Sequence, residues 1–481
     1  DDDGFRGICF TSPPRSGKTR MMAELVASAN ARGWGTVIYT HRRLLLKQTI
    51  GVMKEAGHDP GVRAAGFDSA TLRNNQVASV WTENSRVFRR GKRELADAKL
   101  CIVDELHLLK GQTCRRIFKE HIKQGAVVVG FTATPVDIPP EIETLIVGAT
   151  NSELRKQGIL VPCITYGCEE PDTRFIKRLK DGNFSSKNIA KVMKVWQIVG
   201  RVLEHFDRLN PNRKPTVLFA PGVKESLFFA EKFAEHGVAA AHVTADQVYF
   251  NNSCPLYAGE SFSGEAGMKK RTEALKMQAN GDLPVLCNRF IFREGINQEC
   301  WEHGIGATVF GALHSFLQAG SRILTKSDGK EQAIWQCHGG SFWRHGSLNE
   351  DREWWLGVQS AEITDLRKQQ YIQGEAKEPA CCPNCQAIRG AAWASSGVCP
   401  ICGFTYSQSA RPVIQTNGQL KVLTGPVYKP RRTYKGKNQL AEWKSMYYRG
   451  RKAKMTFAQC EALFALEHHW HDGRVPEAGD L

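Results

Sequence analysis

Short apolar runs alternate with amphipathic stretches along the first 148 residues. The runs at 8–10, 37–40, 77–80, 100–103 and 126–131 have strand length, and residues at helical spacing, such as Met21, Met22, Leu25 and Val26, fall between them. This rhythm predicts a parallel sheet with helices on both faces. Residues 149–215 are more mixed, with a charged helical stretch around 187–206. The rhythm then resumes at 217–220, 240–243, 285–288, 308–310 and 333–336. A Gly/Ser-rich, weakly patterned insert at about 248–267 reads as a mobile loop. No fixed-period repeat is present. The expected class is α/β, with two parallel-sheet units in tandem.

Two short segments give these runs a chemistry. Ser12-Pro13-Pro14-Arg15-Ser16-Gly17-Lys18-Thr19 follows the first run and opens a helical pattern, which is the strand–loop–helix setting of a phosphate-binding loop. Backbone N–H groups of the loop and helix start would surround phosphates. Lys18 would neutralise their charge, and Thr19 would offer its hydroxyl to Mg²⁺. Asp104-Glu105-Leu106-His107 ends the fourth run, so its carboxylates emerge at a strand's C-terminal edge, where open parallel sheets bind ligands. Asp104 is expected to hold the Mg²⁺, and Glu105 to orient and deprotonate the attacking water. Ser12 stands where such loops usually have their first glycine, and a lone Asp-Glu pair is more often a solvated turn. The two in order, each after a strand, predict an ATPase.

Bulk properties narrow the class further. The 481 residues leave room for about three domains. No apolar run approaches the roughly 20 residues of a membrane helix, and Asp1-Asp2-Asp3-Gly4 has none of the parts of a signal peptide. Starting without a methionine, the chain reads as trimmed. Cysteines such as Cys9, Cys101, Cys163 and Cys287 sit singly in apolar runs, as buried thiols in a reducing cytosol do. The 65 Lys+Arg against 49 Asp+Glu give a formal charge of +16, which suits an enzyme that handles a polyanion.

That excess is concentrated near the end. Residues 429–454 hold ten Lys or Arg and one acid, Glu442, with Tyr434, Trp443, Tyr447 and Tyr448 interleaved. Arg431, Arg432 and Lys435 are its candidate phosphate contacts, and the aromatics could stack on unpaired bases. The alternative is a solvated helical face whose aromatics pack inward. Cys382-Pro383-Asn384-Cys385 and Cys399-Pro400-Ile401-Cys402 form paired knuckles thirteen residues apart. Two such knuckles place four thiolates around Zn²⁺ and leave no open position, so the expected site is structural.

In order, these segments resemble superfamily 2 nucleic-acid helicases of the DExH type over about residues 1–360. The nucleotide loop and Asp104-Glu105-Leu106-His107 are similar to motifs one and two, and Thr132-Ala133-Thr134-Pro135 to motif three. Tyr39-Thr40-His41-Arg42-Arg43-Leu44-Leu45, with Gln48 after it, and Ser79-Val80-Trp81-Thr82 are similar to nucleic-acid-contacting segments. Val217-Leu218-Phe219-Ala220, Arg293-Glu294-Gly295-Ile296-Asn297 and Gln318-Ala319-Gly320-Ser321-Arg322 resemble motifs four to six. Gly339-Gly340-Ser341-Phe342-Trp343-Arg344-His345-Gly346 is similar to a subgroup common in bacteriophages and prophages that often carries a C-terminal zinc ribbon.

The resemblance implies a RecA-like ATP-binding domain at 1–148 and a linker with a second RecA-like domain at 149–370. A zinc ribbon at 375–408 and a basic segment at 409–481 would follow. ATP would lie between the RecA-like domains, touched by Gly295 and Asn297. His107, Thr132 and Thr134 would couple the γ-phosphate to closure, and Gln318 and Arg322 would approach from the second domain. Thr40, His41, Arg42 and Thr82 would contact nucleic acid. The implied protein is an ATP-dependent DNA helicase or translocase of a bacterial or phage-infected cytoplasm. Its partners would be single-stranded, forked or duplex DNA, with replication or recombination proteins as further candidates and no membrane.

Departures keep two alternatives open. Ser321 and Thr325 replace the usual glycine and second arginine of motif six, and Lys326 is a candidate substitute without the bidentate fork. Arg293 and Asn297 depart in motif five, and the adenine-reading segment would fall before Asp1. A nucleic-acid-binding scaffold with weak or absent ATPase activity is one alternative. RNA as the track is the other, because these motifs contact mainly backbone.

Overall fold

The computed structural model describes residues 4–67, 70, 72–167, 179, 183–185, 188–189, 195–293, 298–358, 405 and 421–423. The first sheet holds β1 (Gly7–Thr11), β2 (Thr36–Thr40), β3 (Gly61–Arg63), β4 (Asn75–Ser79), β5 (Leu100–Asp104), β6 (Val127–Thr132) and β7 (Thr144–Val147). The strand order is β3-β4-β2-β5-β6-β1-β7, and every pairing is parallel.

Alternation along β5 explains why both faces must be covered. Cys101 and Val103 join one buried cluster with Cys114, Ile117 and Phe118 of the helix Gln112–Lys123. Leu100 and Ile102 join another with Met22, Ala23 and Val26 of the helix Lys18–Ala31. Successive strand residues point to opposite faces, so a strand apolar throughout needs a helix on each side. Cys114, Ile117, Phe118 and His121 make a single helical stripe, and each large apolar member contributes about 1.5–3 kcal/mol by burial. Because β5, β6 and β1 are neighbours, with Asp104 paired to Phe131 and Thr11 to Thr132, the loops after these strands converge on one edge.

The second sheet contains β8 (Cys163–Gly167), β9 (Thr216–Phe219), β10 (Ala240–Val243), β11 (Gln247–Phe250), β12 (Ser261–Ser263), β13 (Val285–Asn288), β14 (His303–Gly306), β15 (Ala333–Cys337) and β16 (Lys421–Leu423). Its order is β12-β11-β10-β13-β9-β14-β15-β8-β16. The strands from β10 to β8 are parallel, and β11, β12 and β16 add antiparallel edges. Helices Val195–Leu209 and Val223–Glu235 cover one face through Val202, Phe206, Phe229 and Phe233.

Several expectations are corrected. The supposed mobile loop at 248–267 is an ordered antiparallel hairpin running into the helix Gly264–Asn280. Tyr257 packs on Phe250 with ring centroids 5.0 Å apart, and the Lys270 ammonium lies 3.8 Å over the Tyr257 ring. Asn251, fully buried, donates to the Ala230 and Val238 carbonyls at 2.8 and 2.9 Å. A few anchoring side chains outweigh a composition that suggests a loop. Residues 308–310 are not a strand either, and β14 precedes them. Gly304 and Gly306 lie against the buried Trp335 ring, so the pattern of β14 is dictated by that ring. The helical stretch expected around 187–206 agrees with the described residues, which are helical at 188–189 and form the helix Val195–Leu209. Cys382, Cys385, Cys399, Cys402, Arg431, Arg432 and Lys435 lie outside the described residues, as do Gly295 and Asn297.

Candidate functional site

The loop after β1 has the geometry of an anion cradle. Gly17 adopts φ 83° at the start of the helix Lys18–Ala31, and Arg15 adopts φ 72°, a region costly for a residue with a side chain. Lys18 Nζ donates to the carbonyls of Ser12 and Pro13 at 2.9 and 2.8 Å. Burial pulls its ammonium down to about 8, against the opposing pull of Glu105 and Asp104. The Ser16 hydroxyl is buried and has no hydrogen-bond partner among the described residues. Pro14 is half-buried beside it, and Thr19 is half-buried in the first helical turn. An anion here would supply the acceptor that the Ser16 hydroxyl lacks and would compete with the two carbonyls for Lys18.

Asp104 is buried at the end of β5. Glu105 follows in the left-handed region at φ 52°, which redirects the chain into the short turn Leu106–Leu108. His107 is buried, with Nδ1 2.8 Å from Thr132 Oγ1 and 3.5 Å from Glu105 Oε2. Thr132 Oγ1 also accepts the Thr134 N–H at 3.0 Å. The structure therefore joins the loops after β5 and β6 through His107. Thr19 and Asp104 offer the hydroxyl and carboxylate donors that would hold Mg²⁺, which commonly takes one or two protein ligands. Among the described residues, no group of three or more His, Cys, Asp or Glu is placed to hold a metal ion.

The helix Leu313–Gly320 of the second sheet brings further groups. His314 and Gln318 are four residues apart and share a helical face. The His314 ring centroid lies 5.1 Å from that of His107. Gln318 is buried, and neither atom of its carboxamide has a hydrogen-bond partner among the described residues. Arg322 is half-buried in the turn Ser321–Ile323 that continues this helix. Arg15 is drawn down to about 10 by burial, while Glu299, between β13 and β14, favours its charge. A cleft beside the loop is lined by Ser12, Pro13, Pro14, Leu317, Ser321 and Trp354. Lys326, the candidate substitute for the arginine absent at Thr325, donates its ammonium to the Lys330 carbonyl. His314 and Glu299 carry no local signal in the sequence, apart from the four-residue spacing of His314 from Gln318.

The expected nucleic-acid contacts divide. His41 is half-buried and Arg42 exposed after β2. Thr82 is half-buried, and its hydroxyl accepts the Ala65 N–H at 3.2 Å. Thr40 is fully buried at the end of β2.

With this geometry in view, similarities to known proteins are informative. The family described as "Type III restriction enzyme, res subunit" matches residues 2–137. A "51.5 kDa protein" of Lactococcus phage (isolate 7-9) is 24% identical over 408 residues, covering 82% of this chain and 77% of that protein. A fragment of a protein assigned as an HsdR subunit of a type I restriction enzyme from Vibrio vulnificus YJ016 has a similar structure. Its TM-score is 0.51 at 13% identity, over 73% of this chain and 64% of that one. The ATP-dependent Type ISP restriction-modification enzyme LlaBIII, bound to DNA, gives a TM-score of 0.48 at 14% identity over 70% of this chain. The chain spans only 26% of that enzyme's length. The HsdR fragment shares the fold of this chain, and the family match falls on the first sheet. No described helix is long and apolar enough to cross a membrane.

Proposed function

We propose that this protein is an ATP-hydrolysing motor that moves along or unwinds DNA, with its reaction centre at the edge where the loops after β1, β5 and β6 meet. The observation that carries the reading is the chain of contacts from Glu105 through His107 to Thr132, with His314 of the second sheet against His107. Glu105 orients and deprotonates the attacking water, and Lys18 leaves the Ser12 and Pro13 carbonyls for the phosphates. Thr19 and Asp104 would hold Mg²⁺, which would supply neutralisation of phosphate charge. Gln318 and Arg322 act from the second sheet on the γ-phosphate, and Gly295 and Asn297 belong to the same nucleotide site. His107 passes the presence of that phosphate to the helix Leu313–Gly320.

The restriction-enzyme family match and the +16 charge support DNA as the track. His41, Arg42 and Thr82, together with Arg431, Arg432 and Lys435, are the proposed contacts. Cys382, Cys385, Cys399 and Cys402 are proposed as ligands of a structural Zn²⁺. Elemental analysis should find one zinc per chain, lost in Cys385→Ser; zinc retained by that variant refutes the ligand set.

The decisive experiment is steady-state ATP hydrolysis alone and with single-stranded DNA, forked DNA or RNA, using Glu105→Gln as the blank. Stimulation by DNA, with Glu105→Gln reduced by about 10²-fold or more, is expected. Stimulation by RNA alone would change the track. Nucleotide binding without turnover would favour a nucleic-acid-binding scaffold, the reading suggested by Thr325 in motif six.

A further inference from the structure

Trp81 is an exposed aromatic ring held in a fixed orientation on a basic surface. It lies in the one-turn helix Val80–Glu83 after β4, with 57% of its surface exposed. Its indole N–H donates to the His41 carbonyl at 3.2 Å, tying the segment after β4 to the segment after β2. Exposing a large ring leaves apolar surface in water, and a hydrogen bond that also fixes its plane restricts its motion. Packing does not require either feature.

The flanking chain is unusual in a matching way. The one-turn helix continues into a π-helical turn, Asn84–Arg89, a rare geometry that recurs at functional sites. Phe88 anchors this turn, with the Arg116 guanidinium 4.4 Å over its ring. Arg89 at its end and Arg90 and Lys92 beyond it are exposed, as are Arg42 and Arg43 on the neighbouring segment. Glu83 is buried, bound by Arg63 at 3.0 Å and approached by Arg93 at 3.8 Å, so its charge is spent inside the fold; Glu94 is the exposed acid at the end of this basic run. Four strand steps separate β4 from β1, roughly 19 Å at the usual spacing, so this surface is apart from the nucleotide loop.

We propose that Trp81 is a stacking platform for an unpaired base of a nucleic-acid strand, with Arg89, Arg90 and Lys92 on its phosphates. The inference rests on the motor reading and deepens it. Backbone contacts alone track any polyanion, whereas a stacked base requires a strand whose bases are accessible.

The test is binding of the full chain, without nucleotide, to labelled single strands of equal length. The strands are oligothymidylate, its abasic counterpart and oligouridylate, each titrated with wild type, Trp81→Ala and Trp81→Phe. Wild type should prefer the base-bearing strands. Trp81→Ala should weaken binding to them by about 5- to 100-fold, leaving the abasic strand unchanged, and Trp81→Phe should retain most of the preference. The uridylate arm separates an RNA track from a DNA one. Equal affinity of Trp81→Ala and wild type for oligothymidylate would overturn the proposal and leave the ring for a protein partner. Equal losses on base-bearing and abasic strands would overturn it too, because the residue would then only position backbone contacts. Failure of the wild type to bind any strand would instead refute the motor reading itself.

Discussion

Lys18 and Glu105 are legible in the sequence because a phosphate loop and a carboxylate pair are local patterns, each tied to a strand end. Glu299 and His314 are not, because their significance comes from what tertiary structure places beside them. Lys18 also carries a quantity that no local pattern contains. Its ammonium is held by two carbonyls in a desolvated loop and titrates near 8. Since its pKa lies below the ordinary lysine value, the proton is lost as pH rises through about 8, and the anion then loses its cation. If Lys18 binds the phosphates, nucleotide binding above that pH takes up a proton. Affinity should therefore fall by up to about tenfold per pH unit between about 8 and 10. Calorimetric titration of a non-hydrolysable ATP analogue from pH 7 to 10 measures this. Lys18→Arg should flatten the profile, because arginine keeps its charge. A flat wild-type profile would remove Lys18 from the phosphates.

Elements are legible where a run is apolar on both faces and hidden where tertiary contacts set the pattern. The runs at 100–103 and 217–220 lie in β5 and β9 because a parallel strand buried on both sides needs continuous apolar residues. β3 and β14 give no such run, and the short β3 lies at a sheet edge. β14 reads His-Gly-Ile-Gly, a poor strand by propensity, yet it sits between β9 and β15. Its glycines exist for Trp335. A Cβ at Gly304 would come within 2.6 Å of Trp335 Cε3, and one at Gly306 within 2.9 Å of Cζ2. The ring cannot swing away easily, because Phe219, Phe310 and Phe316 surround it at centroid distances of 6.1–6.2 Å. Gly304→Ala should therefore cost about 1–3 kcal/mol by overpacking. Chemical denaturation would register the lowered midpoint, and Trp335→Phe in the same chain should recover part of it. An unchanged midpoint in Gly304→Ala would mean that ring size does not dictate the glycines of β14.

Across the whole molecule, buried neutral histidines make stability depend on pH well above the range where carboxylates titrate. Burial lowers His121 and His242 to about 4, and His303 and His338 to about 3. Arg63 adds to the effect on His121, while His205 and His303 add to that on His338. The side chains have partners that suit a neutral ring: Tyr39 Oη at 2.9 Å from His121, Ser226 Oγ at 2.8 Å from His242, and Gln336 Nε2 at 2.7 Å from His338. An unfolded histidine takes up its proton near 6.5 and these folded ones do not until 3–4, so the unfolded state binds more protons throughout that window. Stability is thus fully present above about 6.5 and falls as pH drops, by up to about 1.4 kcal/mol per pH unit for each histidine. His242 and His303 lie in the second sheet and His338 directly follows its strand β15, whereas His121 lies in a helix packed on the first sheet, so acid should loosen the second sheet first. Thermal melts at pH 7.5, 6.5, 5.5 and 5.0 should show a falling midpoint below 6.5. His338→Gln, paired with Gln336 as a neutral amide, should reduce the slope. A midpoint constant from pH 7.5 to 5.0 would mean that these histidines are not held neutral by the fold.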